Sequence, residues 1–534
     1  VVALAPCRIE NTLLTDGREH GRPAQRSVTR LNLQNVYSRL HPPLVDLVLW
    51  QGLAVPGQEK LNLLHLTKGS VLYGASDVIF ALVRFFLVAV YTRILAPAEF
   101  GTYAIISATL QFVCVVVPLG LPSALMVKFK ENDPKEMASL KNTSMLLLLQ
   151  VCVGLGAAFF ACSRILFTST AVSTLVAWLI LWGASDTLSM VPKASLRFNQ
   201  KIVLFSAARI LRVFVMVGVL LWLVKIRCTG LGAIVISEAV AAAAELLFCC
   251  IFDRFLPRPA PLWGLASLVG LGIPLTAVGL GVFLNDLSDR YVVFLLLGNQ
   301  ANGFYAAAAK IAVVGSFCAE AFNSMWFPYF FRFAQKKEYQ QAELRDFSTK
   351  LVMLFAALIG LLCIVLPKLV TLRLFGRYFI SPAYHGVALL VAPLTLVYFF
   401  KMAMYVATPV LTFKRKILQL STISWVAAGL NIAANVVWCR VFGGAHLYEA
   451  LTAVAFMTSL SYGVCMVWVS SAAGLFSPSA WLLSPMAFFS VALLVPAFVP
   501  LPLIFRMALW LAVAAVLYRN QFANSNVLRR LLSE

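Results

Sequence analysis

Residues 69–122 read GSVLYGASDVIFALVRFFLVAVYTRILAPAEFGTYAIISATLQFVCVVVPLGLP. Two apolar runs, each long enough to cross a bilayer, are joined by a short polar turn at 96–100. A crossing helix needs about 20 mostly apolar residues, because the hydrocarbon core is about 30 Å thick. The first run carries Asp77 and Arg84, and the second ends in Pro118, Leu119, Gly120, Leu121 and Pro122, a poor sequence for a straight helix. The rest of the chain extends this pattern. Apolar runs near 142–162, 171–191, 203–224, 230–252, 264–287, 303–327, 349–368, 385–408, 418–439, 447–470, 479–498 and 501–518 bring the expectation to about fourteen transmembrane helices. The runs are continuous rather than alternating, which excludes a membrane barrel and predicts an all-α, polytopic membrane protein.

Composition agrees. The 534 residues are 61% hydrophobic and only 12% charged, about half the share usual in soluble domains. Mean hydropathy is +0.87. The net charge of +21 comes from 43 Lys and Arg against 22 Asp and Glu. No basic domain stands apart from the spans, so nucleic acid is excluded as the partner and anionic lipid at the cytoplasmic face is expected instead. The eleven cysteines include no CxxC pair, and the five histidines keep no ligand spacing with cysteine or carboxylate, so no metal site or cofactor is predicted. There is no Walker loop and no catalytic motif, which argues against an enzyme.

Residues 1–60 are polar, turn-rich and too short in their apolar fragments to span, and they are expected to be a disordered leader or an over-extended gene start. With the N-terminus inside, inner loops and the C-terminal tail hold twenty Lys and Arg against ten in outer loops, leader excluded, which favours both termini in the cytoplasm.

The hairpin recurs. Leu95, Gly101, Tyr103 and Ala104 fall on Leu297, Gly303, Tyr305 and Ala306 at an offset of 202 residues, and Lys135-Glu136 falls on Lys337-Glu338 at the same offset. This predicts a duplicated unit of six spans, both copies in the same orientation. The division expected is an N-lobe over 61–252, a Pro-rich linker over 253–262, a C-lobe over 263–470, and two further helices with a cytoplasmic tail over 471–534.

A charge in hydrocarbon costs several kcal/mol and normally faces a cavity or a partner. Asp77 and Arg84 share a face of the first span. Lys310 lies seven residues into the eighth, among alanines, and is the strongest candidate for a cavity. Glu238 with Glu245, and Glu320, are further intramembrane acids. Arg209 and Arg212 are close enough to the interface to snorkel. Asp186, Glu245 and Lys401 are expected in solvent at the inner face, and Asp286, Asp289 and Arg290 in a network at the outer rim. Two six-span lobes with a charged interior and no ATPase module describe an alternating-access carrier.

The runs RILAPAEFGTYA (93–104), PLGLPSALMVKF (118–129), DRYVVFLLLGNQANGFYAAAAKI (289–311) and KRKILQLSTISWVAAGLNIAANVV (414–437) resemble the polysaccharide-biosynthesis flippases, the O-antigen and exopolysaccharide translocases. These belong to the multidrug/oligosaccharidyl-lipid/polysaccharide exporter superfamily. The resemblance covers most of residues 66–470. It implies two six-helix bundles around a central cavity, plus two extra helices. It also implies passage of a polyprenyl-diphosphate-linked oligosaccharide from the cytoplasmic to the outer leaflet of the inner membrane, alongside a glycan polymerase and a chain-length regulator. Arg84 and Lys310 are then expected to neutralise the diphosphate and Arg290 to receive it, with Asp77, Glu238 and Glu320 as coupling or cavity partners. The alternatives are a cation-coupled multidrug exporter of the same superfamily and a membrane glycan polymerase or ligase. The outer loops are short for a polymerase or ligase. The leader is not a family feature, and the intramembrane acids are more than an anion-binding cavity needs.

Overall fold

The structure, a computed structural model, describes residues 83–519 apart from Arg84 and several short segments, the longest being 129–133, 254–261, 336–340 and 476–484. The chain divides into two units, Val1–Pro42 and Pro43–Glu534, and every described residue belongs to the second. The expected leader, Asp77, Arg84 and most of the Pro-rich linker lie outside the described residues.

Among the described residues, fifteen α-helices follow in order. The first seven are α1 (Phe85–Ile94), α2 (Pro97–Val116), α3 (Leu121–Lys128), α4 (Pro134–Leu166), α5 (Thr170–Phe198), α6 (Ile202–Lys225) and α7 (Leu231–Phe252). Next come α8 (Leu262–Ala312), α9 (Val314–Gln335) and α10 (Gln341–Thr371). A two-stranded antiparallel hairpin, β1 (Arg373–Leu374) with β2 (Arg377–Tyr378), and a 3-10 turn at Pro382–Val387 lead into α11 (Ala388–Phe413). The chain continues through α12 (Ile417–Phe442), α13 (Leu447–Ala473), α14 (Pro485–Leu494) and α15 (Leu503–Leu517).

Among the described residues, ten helices are long and apolar enough to cross a membrane. One of them, α8, is two helices: the chain breaks at Gly298 (φ 87°, ψ 179°), a conformation that costs glycine little and other residues much. Its first arm is the expected seventh span, and its second arm with α9 is the eighth. Counting those arms separately and adding the shorter α1, α14 and α15 accounts for the fourteen expected segments. The outer surface is apolar, with Val153, Leu155, Phe159, Phe214, Leu221, Leu295 and Ile504 exposed, as lipid requires. The protein is a multi-pass membrane protein, helical apart from the one short hairpin among the described residues.

The residues that broke the pattern in the sequence break the helices. Helix α2 stops at Val116, the chain passes through Leu119 (φ 47°) and Gly120 (φ 65°), and α3 restarts at Leu121. Packing repeats between the two bundles. Helix α7 lies against α5 and α6, as α13 lies against α11 and α12, and α4 meets α5 where α10 and α11 meet in the other bundle. Helices α14 and α15 sit on α10, where the Trp510 indole N–H donates to the Ala357 carbonyl at 3.2 Å.

The bundles meet where α2 crosses the second arm of α8, through the repeated motif itself. A Cβ added to Gly101 would lie 1.9 Å from the Asn299 carbonyl oxygen, and one added to Gly303 would lie 1.8 Å from that of Pro97. Only glycine lets the two backbones approach this closely. The Asn302 amide N–H donates to the Gly101 carbonyl at 2.9 Å. Tyr384 seals the crossing: its ring meets both Phe100 and Phe304, and its hydroxyl donates to the Leu95 carbonyl at 2.9 Å. The largest apolar core gathers around this crossing, drawing on Phe100, Tyr305, Val391 and Val454.

Candidate functional site

Between the bundles lies a cavity of about 490 Å³. Its described lining includes six bases (Lys193, Arg209, Arg212, Arg290, Lys310 and Lys401) and four acids (Asp186, Glu238, Asp286 and Asp289), and with Glu245, which pairs with Lys193 and Arg212 from behind the wall, one positive charge is left over when all are ionised. Each charge reaches the cavity from a helix that is otherwise apolar, which is the setting in which an intramembrane charge must find a partner or water.

On the α1–α7 side the charges form a hub. Arg212 of α6 is buried, and its two terminal nitrogens clasp the Asp186 carboxylate of α5, one of them at 3.1 Å from Oδ2. It also donates to Glu245 Oε2 of α7 at 2.9 Å and lies 3.6 Å from Glu238 Oε2. Lys193 reaches the same Glu245 oxygen at 3.2 Å, and the Trp182 indole donates to Asp186 Oδ2 at 2.9 Å. A guanidinium with a fixed fork of donors suits this role, since it can satisfy several carboxylates at once.

On the α8–α13 side the charges are sparser. Lys401 of α11 pairs with Asp286 of α8 at 2.7 Å and lies 4.9 Å from the centroid of the Tyr462 ring. Asp289 is buried and accepts from the Tyr305 hydroxyl at 2.5 Å and from the Arg290 backbone N–H at 2.7 Å. Beside it the polar groups are neutral amides. Asn431 donates to the Asn285 carbonyl at 3.2 Å, and Asn435 donates to Asn431 Oδ1 at 2.9 Å. Lys310 stands over an aromatic shelf, 5.0 Å from the centroid of Tyr103 and 5.7 Å from that of Tyr91, and Tyr103 stacks on Trp182. A cation over ring faces is drawn to them electrostatically.

The structure therefore gathers three of the six residues singled out from the sequence, Lys310, Arg290 and Glu238, on one cavity wall system. Glu320 is exposed, accepts from the Tyr405 hydroxyl at 2.9 Å and is not part of that lining. Arg84 and Asp77 lie outside the described residues. Three expectations change. Arg212 does not snorkel, because three carboxylates hold it inside. Asp186, Glu245 and Lys401 are paired within the protein rather than resting in solvent at the inner face. Asp286, Asp289 and Arg290 line the cavity instead of an outer rim. The signal that could have found the hub is pairing of faces: Glu238 and Glu245 are seven residues apart on α7, and Asp186 and Lys193 are seven apart on α5. Among the described residues no group of His, Cys, Asp and Glu is arranged to hold a metal.

The same fold occurs in solved transporters. A structure described as "Lipid II flippase MurJ, inward closed conformation" superposes with a TM-score of 0.57 at 11% identity, covering 84% of this chain and 99% of that one. A multidrug resistance MATE family transporter of the MOP superfamily, in an inward-facing conformation, gives 0.50 at 14% identity, covering 81% and 98%. At such identities the likeness establishes the fold alone. No curated protein matches the chain by sequence. Residues 90–383, more than half of the chain, match the family described as polysaccharide biosynthesis protein, and the chain belongs to that family.

Proposed function

We propose that the protein carries an isoprenoid-diphosphate-linked oligosaccharide from the cytoplasmic to the outer leaflet of the inner membrane by alternating access, for O-antigen, exopolysaccharide or capsule assembly. It acts as a transporter rather than an enzyme, with both termini in the cytoplasm. The observation that carries this reading is the cavity between the bundles, whose six bases outnumber its four acids. A diphosphate cannot cross hydrocarbon unaided, and a positively biased, water-accessible chamber lowers that barrier. In this reading Lys310, Arg290 and Arg84 neutralise the diphosphate. The buried Tyr91 and Tyr103 rings hold the Lys310 ammonium in place at the wall. Glu238 and Asp77 set the charge balance on which ion coupling would act, Glu320 contributing through Tyr405.

The test has two arms. Deleting the gene abolishes surface glycan, and unchanged glycan would refute the function. The Lys310→Ala, Arg290→Ala double variant fails to restore it at normal expression, and full restoration would refute the site. A cation-coupled multidrug exporter is the second reading, favoured by the four acids on the same wall. Drug resistance lost on deletion with glycan intact would select it.

A further inference from the structure

The segment between α10 and α11 runs against the charge asymmetry of the chain. In the expected topology it faces outward, yet Lys368, Arg373 and Arg377 fall within ten residues of one another. No Asp or Glu occurs in the sequence between Asp346 and Glu449, so the segment brings no counter-charge of its own. The structure adds a fourth base, Arg93, from the end of α1. All four are exposed. None forms an ion pair among the described residues. Glu99 of α2 and Glu449 of α13 are the exposed acids of the helices that flank the segment, and neither pairs with these bases.

Two of the bases are fixed on one residue. Strands β1 and β2 set Arg373 opposite Tyr378, and the Phe379 N–H donates to the Leu372 carbonyl at 2.8 Å, which ties off the hairpin. The Arg373 guanidinium lies 4.4 Å from the centroid of the Tyr378 ring and donates to its hydroxyl. Arg93 donates to the Tyr378 carbonyl at 2.7 Å. The His385 ring packs edge-on against the same tyrosine, 4.7 Å between centroids. Each guanidinium is a fork of five N–H donors, so these contacts orient it and leave donors over for an acceptor from outside. That fork matches the oxygens of a phosphate in a bidentate contact.

The surroundings say which phosphate. Leu372 and Phe86 are exposed beside the bases, the Phe86 ring lying 6.2 Å from that of Phe379. Bases next to exposed apolar side chains fit a membrane interface, where a headgroup and its acyl chains meet one of each. None of the four bases belongs to the described lining of the central cavity, so the patch lies off the passage that cargo would take. Arg93 comes from α1 and the hairpin follows α10, so an anion held by Arg93 and Arg373 sits on the seam between the bundles.

We infer that Arg93 and Arg373, with Lys368 and Arg377 adding to the local field, bind the phosphate headgroup of an anionic bilayer phospholipid at the outer end of that seam. The inference goes beyond the transport reading and stands without it.

The full chain in detergent tests this by native mass spectrometry, with phosphatidylglycerol, phosphatidylcholine and a sugar-free polyprenyl diphosphate as probes. The tightest-bound phosphatidylglycerol should hold about tenfold better than phosphatidylcholine, whose phosphate is offset by its own cation. The Arg93→Gln, Arg373→Gln double variant should weaken phosphatidylglycerol about fivefold or more, while Arg93→Lys, Arg373→Lys stays within about threefold of the parent. A Lys225→Gln, Arg440→Gln variant makes the same change of net charge at exposed bases of α6 and α12, and should leave binding within about twofold. Equal losses in the two glutamine pairs, or no loss in either, overturn the site. A loss confined to the polyprenyl diphosphate overturns bilayer lipid as the occupant. A photoactivatable phosphatidylglycerol needs no variant to fold: it should label the segment 368–378, and labelling confined to other segments also overturns the site. Surface glycan intact on gene deletion, with phosphatidylglycerol lost from the Arg93, Arg373 glutamine variant, would refute the transport reading and keep this site. Glycan lost on deletion with phosphatidylglycerol binding unchanged would do the reverse.

Discussion

The two bundles share a packing scheme and differ in their wiring. In one, α7 holds α5 and α6 together around Arg212, a single cation shared among Asp186, Glu238 and Glu245. In the other, α13 holds α11 and α12 by the same contacts, yet the polar groups are Lys401 with Asp286 and a row of neutral side chains, the amides of Asn431 and Asn435 and the hydroxyl of Thr458. The difference teaches that two bundles can share how their backbones fit without sharing side-chain chemistry. It also separates two roles. The Arg212 hub is buried among opposite charges and ties three helices. The Lys401–Asp286 pair is more open to the cavity, Asp286 being 34% exposed, and is the part of the wall freer to respond to an ion or substrate.

The comparison can be broken. Replacing Arg212 with Met takes the shared cation from the buried Glu238 and Glu245 and from the partly buried Asp186, and should cost about 3–5 kcal/mol, read as a large fall in the melting temperature of the purified protein. A loss under 1 kcal/mol would mean that the hub does not tie α5, α6 and α7. Next comes the crossing between bundles. Gly303→Ala forces a methyl group against the Pro97 carbonyl and should cost about 2–3 kcal/mol, with Gly101→Ala close behind because its contact is equivalent. A large effect at one glycine only would show that the crossing is not symmetrical in energy. Lys401→Met should cost less, about 1–2 kcal/mol, since water in the cavity can hydrate the Asp286 it leaves behind. If it matches Arg212→Met, the contrast between the bundles fails. The smallest effect is expected at Asn435→Ala, roughly 1 kcal/mol, because it removes neutral hydrogen bonds to Asn431 and Thr458. Melting curves of the five variants in one detergent give the order directly.

The fold was legible because its determinants are local. Apolar run length marks a span, residues 118–122 mark a break, and a motif repeated at 202 residues marks a duplication. Long-range partners were not legible. Nothing within a turn of Arg212 says that Asp186, Glu238 and Glu245 arrive from two other helices, so a residue near a span end read as an interfacial one. Lys401 and Asp286 are 115 residues apart and were each assigned to solvent or rim for the same reason. Lys310 was legible, because a lysine deep in an alanine run has few places to go. The aromatic shelf beneath it was not, since Tyr91 and Tyr103 look like ordinary core residues until the helices are placed.

The glycine crossing has a consequence for symmetry. Gly101 touches Asn299 as Gly303 touches Pro97, and each pair maps onto the other at the 202-residue offset. That reciprocity is the signature of an isologous interface between identical subunits. The twofold relation confines the closest backbone approach to one spot, around which each bundle carries its own set of charges.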